Sequence, residues 1–435
     1  MPLSCRVKVV KFANGERFPF LVDRATGIPL YEPTVFALKV LRPKGRASNT
    51  ITQAIRSLLF FFQVLEVLNI DLELRLKDGR FLDVGEIDQI IRLSRLRQEI
   101  LDVYLRGGLL SQDKNYPPAR LESVRKIFSS SARLSEVEME TSSIRIGYIC
   151  QYLRWFTARR VRQWNSLEAP IGELLAEVKL SLDTLKSQVP SKIGNRNRVG
   201  LREGLSVEVQ NRLVEVIHPE APENPWKSQH VRYRNQLLIH WLIGLSLRRG
   251  EALGVRLTDI DFRLNEVLIA RRADAQDDPR TYQPLTKTAD RILGLDQGLA
   301  QLTLDYINRY RRKNPGARSH EHLFVANGTG KPLSLVGVSK IFDQLRSKVP
   351  DLPSNLTAHV MRHTWNERFS ELIDMKGVGP EEEKRWRNYQ NGWSDGSKSA
   401  EIYTRRHARR ESNDVSIKLQ RSMLRKDEGS KEAPD

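Results

Sequence analysis

Two cysteines in 435 residues, Cys5 and Cys150, are too few and too far apart for a disulfide framework. Without a Cys-x-x-Cys pair they outline no zinc site either. Long apolar runs are also missing: the most apolar stretch, Leu58 to Ile70, is too short to span a bilayer and is broken by Gln63 and Glu66, so it reads as a core helix. Charges follow Met1 at once, at Arg6 and Lys8, and no apolar h-region precedes them, so no signal peptide is legible. These absences point to a reducing cytoplasm and away from a membrane partner. Acid is scarce as well, with 53 Asp and Glu against 71 Lys and Arg, a formal charge of +18. A soluble chain so basic is expected to meet a polyanion, nucleic acid first.

What is present has the composition of a globular protein, 40% hydrophobic and 29% charged, and its length calls for more than one core. Residues 1–45 hold short apolar runs broken by Asn14-Gly15 and Thr26-Gly27, the pattern of a hairpin or extended arm. Such an extension reads either as a free arm or as a strap packed on the next domain. Residues 46–190 are helical in texture: Ser48-Asn-Thr50 reads as a cap for a run to Ile70, with further helical patterns at 84–98, 118–128, 143–163 and 171–189. Within this region Tyr152 to Trp164 interleaves aromatics with Arg154, Arg159 and Arg162. Helical spacing turns Leu153, Phe156 and Val161 inward. The arginines read either as a phosphate-gripping face or as a solvated face with cation–π pairs. Residues 191–204 form a basic linker with Arg196 and Arg198, and 421–435 read as a disordered tail.

Between them, residues 205–420 alternate helical patterns with a turn at 255–262 leading into a strand at 266–270, and with strands around 284–295 and 322–326. The fold class expected is mainly α with a small β-sheet (α+β). Two motifs here are set aside. Gly328-Thr-Gly330-Lys331 lacks the first glycine of a phosphate loop, with Val325 in its place, and Pro332 blocks the helix start, so it reads as a turn. His320-Glu-His322 has no third ligand at zinc spacing and reads as surface.

The chemistry gathers in three boxes. Gly244-Leu-Ser-Leu-Arg248-Arg-Gly-Glu251 ends an apolar helix; Thr357-Ala-His359-Val-Met-Arg362-His363 puts a histidine and an arginine three apart, on one helical face; Gly392-Trp393 leads to Ala-Glu-Ile-Tyr403. Two arginines from separate segments can hold both non-bridging oxygens of a phosphodiester with charge-assisted bonds. A tyrosine can attack phosphorus and keep the bond energy in a phosphotyrosine, so no metal or other cofactor is required. A lysine beside the leaving 5′ oxygen can supply its proton.

In this order the boxes resemble the tyrosine recombinase (phage integrase) family. The resemblance implies a helical SAM-like core-binding domain followed by a catalytic domain, the two forming a clamp on double-stranded DNA. It implies that Arg248 and Arg362 bind the scissile phosphate, that Glu251 buttresses the fold, that His359 is an acid/base and that Lys287 is the general acid. Trp393 stands where most members have histidine, and Tyr403 matches the nucleophile. Trp393 and Tyr403 lie ten positions apart where nine is the family's step, and the segment from Arg362 to Trp393 is long, with extra residues around 377–387. Another alignment would make Tyr389 the nucleophile. Family behaviour further implies a homotetramer on DNA, possibly with related recombinases, in a nucleoid-associated cytoplasmic protein that integrates or excises a mobile element. A type IB topoisomerase and a catalytically silent partner of another recombinase are the alternatives. Affinity for duplex DNA should fall by about a thousandfold or more between roughly 50 and 200 mM salt if about six phosphates are contacted, because bound counterions are released. Fluorescence anisotropy measures it, and a flat salt response would contradict the polyanion reading.

Overall fold

The computed structural model describes residues 5–101, 136–163, 171–188, 204–284, 288–394, 396–397 and 405–428. They form two compact units, Met1–Arg198 and Val199–Asp435. Both are mostly helical, and each has one small antiparallel sheet.

The first unit opens with β1 (Cys5–Lys11) and β2 (Arg17–Asp23), paired from Cys5↔Asp23 to Lys11↔Arg17 around the Asn14-Gly15 turn. Helices α1 (Tyr31–Phe36), α2 (Ser48–Val67), α3 (Leu72–Lys77), α4 (Val84–Ser94), α5 (Met139–Gln163) and α6 (Ile171–Ser187) follow. The hairpin does not stand apart from them: Phe18, Leu21, Phe36 and Leu41 are fully buried in one core with Leu58 and Phe61 of α2. Ser48 is not the cap of α2. Ala47 holds that position, and the Ser48 hydroxyl donates to the Arg17 carbonyl at 2.5 Å, joining helix to hairpin. Among the described residues α2 is the one helix long and apolar enough to cross a membrane by length and composition, yet its apolar face is the centre of this core. The expected helix at 118–128 lies outside the described residues.

On α5, Leu153 and Phe156 are buried, as their spacing requires. Tyr152 stacks on Phe156 at 5.7 Å and meets Phe36 edge-on at 5.4 Å, so aromatic packing ties α5 to α1.

The first described helix of the second unit, α7 (Val207–Ile217), is capped by the Ser206 hydroxyl. Helix α8 (Gln229–Gly244) is buried along much of its length, with Trp241 fully enclosed and its indole donating to Thr303 at 3.1 Å. The short α9 (Arg249–Gly254) leads into β3 (Ile260–Asp261), β4 (Glu266–Ile269) and β5 (Arg291–Gly294), a sheet in that order. The returning strand is thus shorter than its sequence pattern. Helix α10 (Gln297–Asp305) then widens into a π-turn over Tyr306–Tyr310.

The strand expected at 322–326 is absent. His322 and Val325 make only isolated bridges, to Arg256 and Pro332. His322 is not a surface residue: it is buried, with Nε2 3.6 Å from the Asp278 carboxylate. Gly328-Thr-Gly330 is a turn, and Gly330 has φ +65° with room for no side chain, since a Cβ would stand 2.5 Å from the Ala317 amide nitrogen. Helices α11 (Leu335–Lys348), α12 (Ala358–Met375), α13 (Pro380–Asn391) and α14 (Arg405–Glu428) complete the unit. Helix α14 continues through residues 421–428, where the sequence marks a tail, in keeping with its arginines, lysines and leucines, all good helix formers.

Phe61→Ala should cost about 3–5 kcal/mol, read from the urea midpoint of the first unit, whereas a loss below about 1 kcal/mol would place this ring outside the core.

Candidate active site

After α8 the chain turns at Ser246, a non-glycine residue with φ +54°, which sends Leu247 into the core and leaves Arg248 as the N-cap of α9. Glu251, three residues on, accepts the Arg248 amide at 2.9 Å. Its carboxylate is fully buried, and the site assembles on it. Oε1 accepts from Arg248 Nη1 at 3.2 Å and from the Thr288 hydroxyl at 2.6 Å; Oε2 accepts from Arg291 Nη2 at 3.0 Å and lies 3.8 Å from Arg362 Nη1. Burial by itself would raise this carboxyl's pKa. The Arg291 and Arg362 charges, with the Thr288 hydroxyl and Arg248 amide, outweigh it and hold the group below its ordinary value.

Thr357 caps α12, its hydroxyl accepting the Val360 amide at 3.3 Å, and the helix then presents His359 and Arg362. His359 is exposed and meets the buried His363 edge-on at 4.7 Å. Arg362 is 0% exposed. Its Nη1 donates to the Ser246 carbonyl and its Nη2 to the Asn391 carbonyl at 3.0 Å, so two distant segments set the plane of the fork. The Trp393 ring lies 5.2 Å from the guanidinium, close enough for a cation–π contact.

Helix α13 holds the remaining side. It ends at Gly392, with φ +65°, where a Cβ would come within 2.8 Å of Arg291 Nη1 and of Thr288 Cβ. Only glycine meets both demands. Arg291 Nε donates to the Gln390 carbonyl at 2.9 Å. Tyr389, the other tyrosine within reach of the third box, directs its hydroxyl to the Ile292 carbonyl at 3.1 Å.

Arg248, Arg362 and Trp393 are therefore gathered, and His359 stands one turn before Arg362 on the same helix. Lys287 and Tyr403 lie outside the described residues. Thr288, next to Lys287 in the chain, is anchored on Glu251. Of the arginines expected to grip phosphate in the first unit, Arg154 and Arg162 are exposed on α5. Arg159 is engaged within the unit: it donates to the Tyr31 hydroxyl at 3.1 Å, stands 3.8 Å from Glu32, and lies over the Tyr31 and Trp155 rings. Arg196 and Arg198 lie outside the described residues. Among the described residues no group of three or more His, Cys, Asp or Glu could hold a metal ion.

Sequence reasoning passed over Arg291, Ser246, Asn366 and Asn391. Arg291 had a signal: it alternates with Leu293 on the inward face of β5, and a buried strand arginine demands an acid. The other three carry no mark beyond Asn366 standing one turn after Arg362.

Because Glu251 is depressed in the fold, its contribution to stability is complete above the unfolded carboxylate pKa and is lost as pH falls through the folded value. Glu251→Gln should lose about 3–5 kcal/mol at neutral pH, since it strands buried arginines, and the gap to wild type should close on acidification. Thermal melts across pH test this; a gap that does not narrow at low pH would contradict it.

Residues 207–378 match the phage integrase family. No curated protein sequence matches. Similar solved structures include a XerA recombinase, 14% identical at a TM-score of 0.34 and covering 86% of this chain and 92% of its own. Others are XerH recombinase bound to palindromic difH substrate, 17% identical, TM-score 0.44, covering 76% and 84%, and Tn1549 transposon integrase with circular intermediate DNA, 15% identical, TM-score 0.37, covering 73% and 94%. With the family match lying on the boxes of Arg248 and Arg362, the second unit carries a phage integrase family domain.

Proposed function

We propose that this chain is a site-specific recombinase that cleaves and rejoins double-stranded DNA through a 3′-phosphotyrosine at Tyr403, serving the integration or excision of a mobile element. The observation that carries the reading is the placement of Arg248 and Arg362 on the two oxygens of one buried carboxylate. Neither jaw is left an uncompensated charge before DNA arrives, and Arg362 is already oriented by two carbonyls. Preorganisation of this kind stabilises charge growing on the non-bridging oxygens without reorganising solvent, and one such donor contributes about 3–4 kcal/mol.

In the proposed reaction Tyr403 Oη attacks phosphorus, forming a phosphotyrosyl bond as the bond to the 5′ oxygen breaks. His359 handles the tyrosine's proton. Lys287 gives a proton to the departing 5′ oxygen, and its neighbour Thr288 is tethered at the clamp. A 5′ hydroxyl from the partner strand then reverses the step. The indole N–H of Trp393 takes the place of an imidazole donor toward the phosphate. For assembly we propose a homotetramer on two duplexes. On α14, Val415, Leu419 and Met423 recur every four residues and are more than half exposed, an apolar stripe suited to a second copy. Exposed Arg154 and Arg162 on α5 are the proposed phosphate contacts of the first unit.

The test is covalent capture on nicked suicide duplexes tiled across the DNA flanking the coding sequence. Wild type should form a denaturant-resistant adduct with one or a few duplexes, and Tyr403→Phe should form none. An adduct that survives in Tyr403→Phe moves the nucleophile elsewhere. Capture on every duplex, with relaxation of any supercoiled plasmid, means topoisomerase action, and binding without capture means a silent partner.

A further inference from the structure

The stretch between Arg362 and Trp393 completes α12, forms α13, and is joined to the arginine clamp by a buried polar network. Arg387, on the inner face of α13, is 1% exposed. Its Nη1 donates to the carbonyl and to the side-chain oxygen of Asn366, at 2.8 and 3.0 Å, and its Nη2 to the Ser370 hydroxyl at 2.7 Å and to Glu383 at 2.5 Å. Its guanidinium also lies 4.8 Å from the Phe369 ring centre.

Asn366, one turn beyond Arg362 on α12, is 0% exposed. It donates to the Arg362 carbonyl at 2.8 Å, to the Ser246 hydroxyl at 3.3 Å and to the Asn391 side-chain oxygen at 3.3 Å. Asn391 in turn donates to Asn366 at 3.2 Å and accepts the Ser246 hydroxyl at 3.0 Å. Ser246 and Asn391 are the two residues whose carbonyls receive the Arg362 fork. Side chains of the network thus fix the backbone groups that fix the arginine. Buried amides and a buried guanidinium are unfavourable to place here, and apolar packing would fill the same space at lower free energy. What the polar network adds is direction: each contact has one geometry, and they converge on the fork.

We propose that Asn366, Asn391 and Arg387 are positioning residues for Arg362, holding its guanidinium in the orientation that receives the scissile phosphate. They act on strand cleavage through the arginine and leave DNA affinity alone. The inference rests on the proposed recombinase reading. It adds that the inner face of α13 supports the arginine clamp.

The test uses the full chain and the duplex that wild type captures, in single-turnover cleavage. Asn391→Ala and Asn366→Ala should slow cleavage about 10- to 100-fold, the effect of misplacing a reacting group by about an ångström. Duplex affinity should stay within about threefold, as expected when a ground-state contact is not the one lost. On the same duplex with a methylphosphonate at the scissile position, which lacks one charged oxygen, the deficit should shrink toward parity. Ser246→Ala, which removes only a hydroxyl, should show the same pattern more weakly and covers the case in which an asparagine variant does not fold. Cleavage at the wild-type rate, or an equal deficit on phosphate and methylphosphonate, overturns the proposal. If wild type captures no duplex at all, the recombinase reading fails first, so the two failures are distinct.

Discussion

One buried carboxylate governs the second unit. Glu251 sits where the chain after α8, the segment leading into β5 and the helix α12 come together, and each brings a cation or hydroxyl to this one group. Like charges gathered at one place repel one another. A fixed anion among them removes that penalty and, being buried, keeps the electrostatic coupling strong. The arrangement also explains why the carboxyl stays ionised although burial opposes it.

A second constraint follows from the first. A carboxylate has two oxygens, and both are occupied, so the orientation of the arginines cannot be left to it alone. Backbone carbonyls supply the remaining acceptors, from Ser246 and Asn391 for Arg362 and from Gln390 for Arg291. Carbonyls are rigid acceptors when the backbone around them is rigid. Here that rigidity comes from a left-handed Ser246 and a left-handed Gly392, which reach the site from two distant segments of the chain.

The sequence exposed most of this where chemistry is local. The amphipathic run of α2 and the inward face of α5 follow from short-range pattern, and the structure has them. The three boxes were legible because Arg248, Glu251, His359 and Arg362 sit at helix starts with fixed spacing. Long-range pairing was not legible. Ser48 looks like a cap until Arg17 offers it a carbonyl, and His322 looks like surface until Asp278 arrives from a distant loop. The apolar run at 322–326 resembles a strand, but its neighbours pair with it only one residue at a time. The family match, residues 207–378, takes in the first two boxes and ends before the third, Gly392 to Tyr403.

The network of α13 also limits how this segment can change length. Arg387 and Asn391 are one turn apart on one face, and Gly392 must arrive left-handed directly after them. An insertion or deletion inside the last turn rotates that face by about 100° per residue and withdraws both side chains from Arg362 at once. At the other end, Gly377 is a left-handed turn open to solvent, with no atom near its missing side chain, and Pro380 starts the helix afresh. A residue added in the turn at 377–379 would therefore leave this face in place, whereas one added in the last turn of α13 would not.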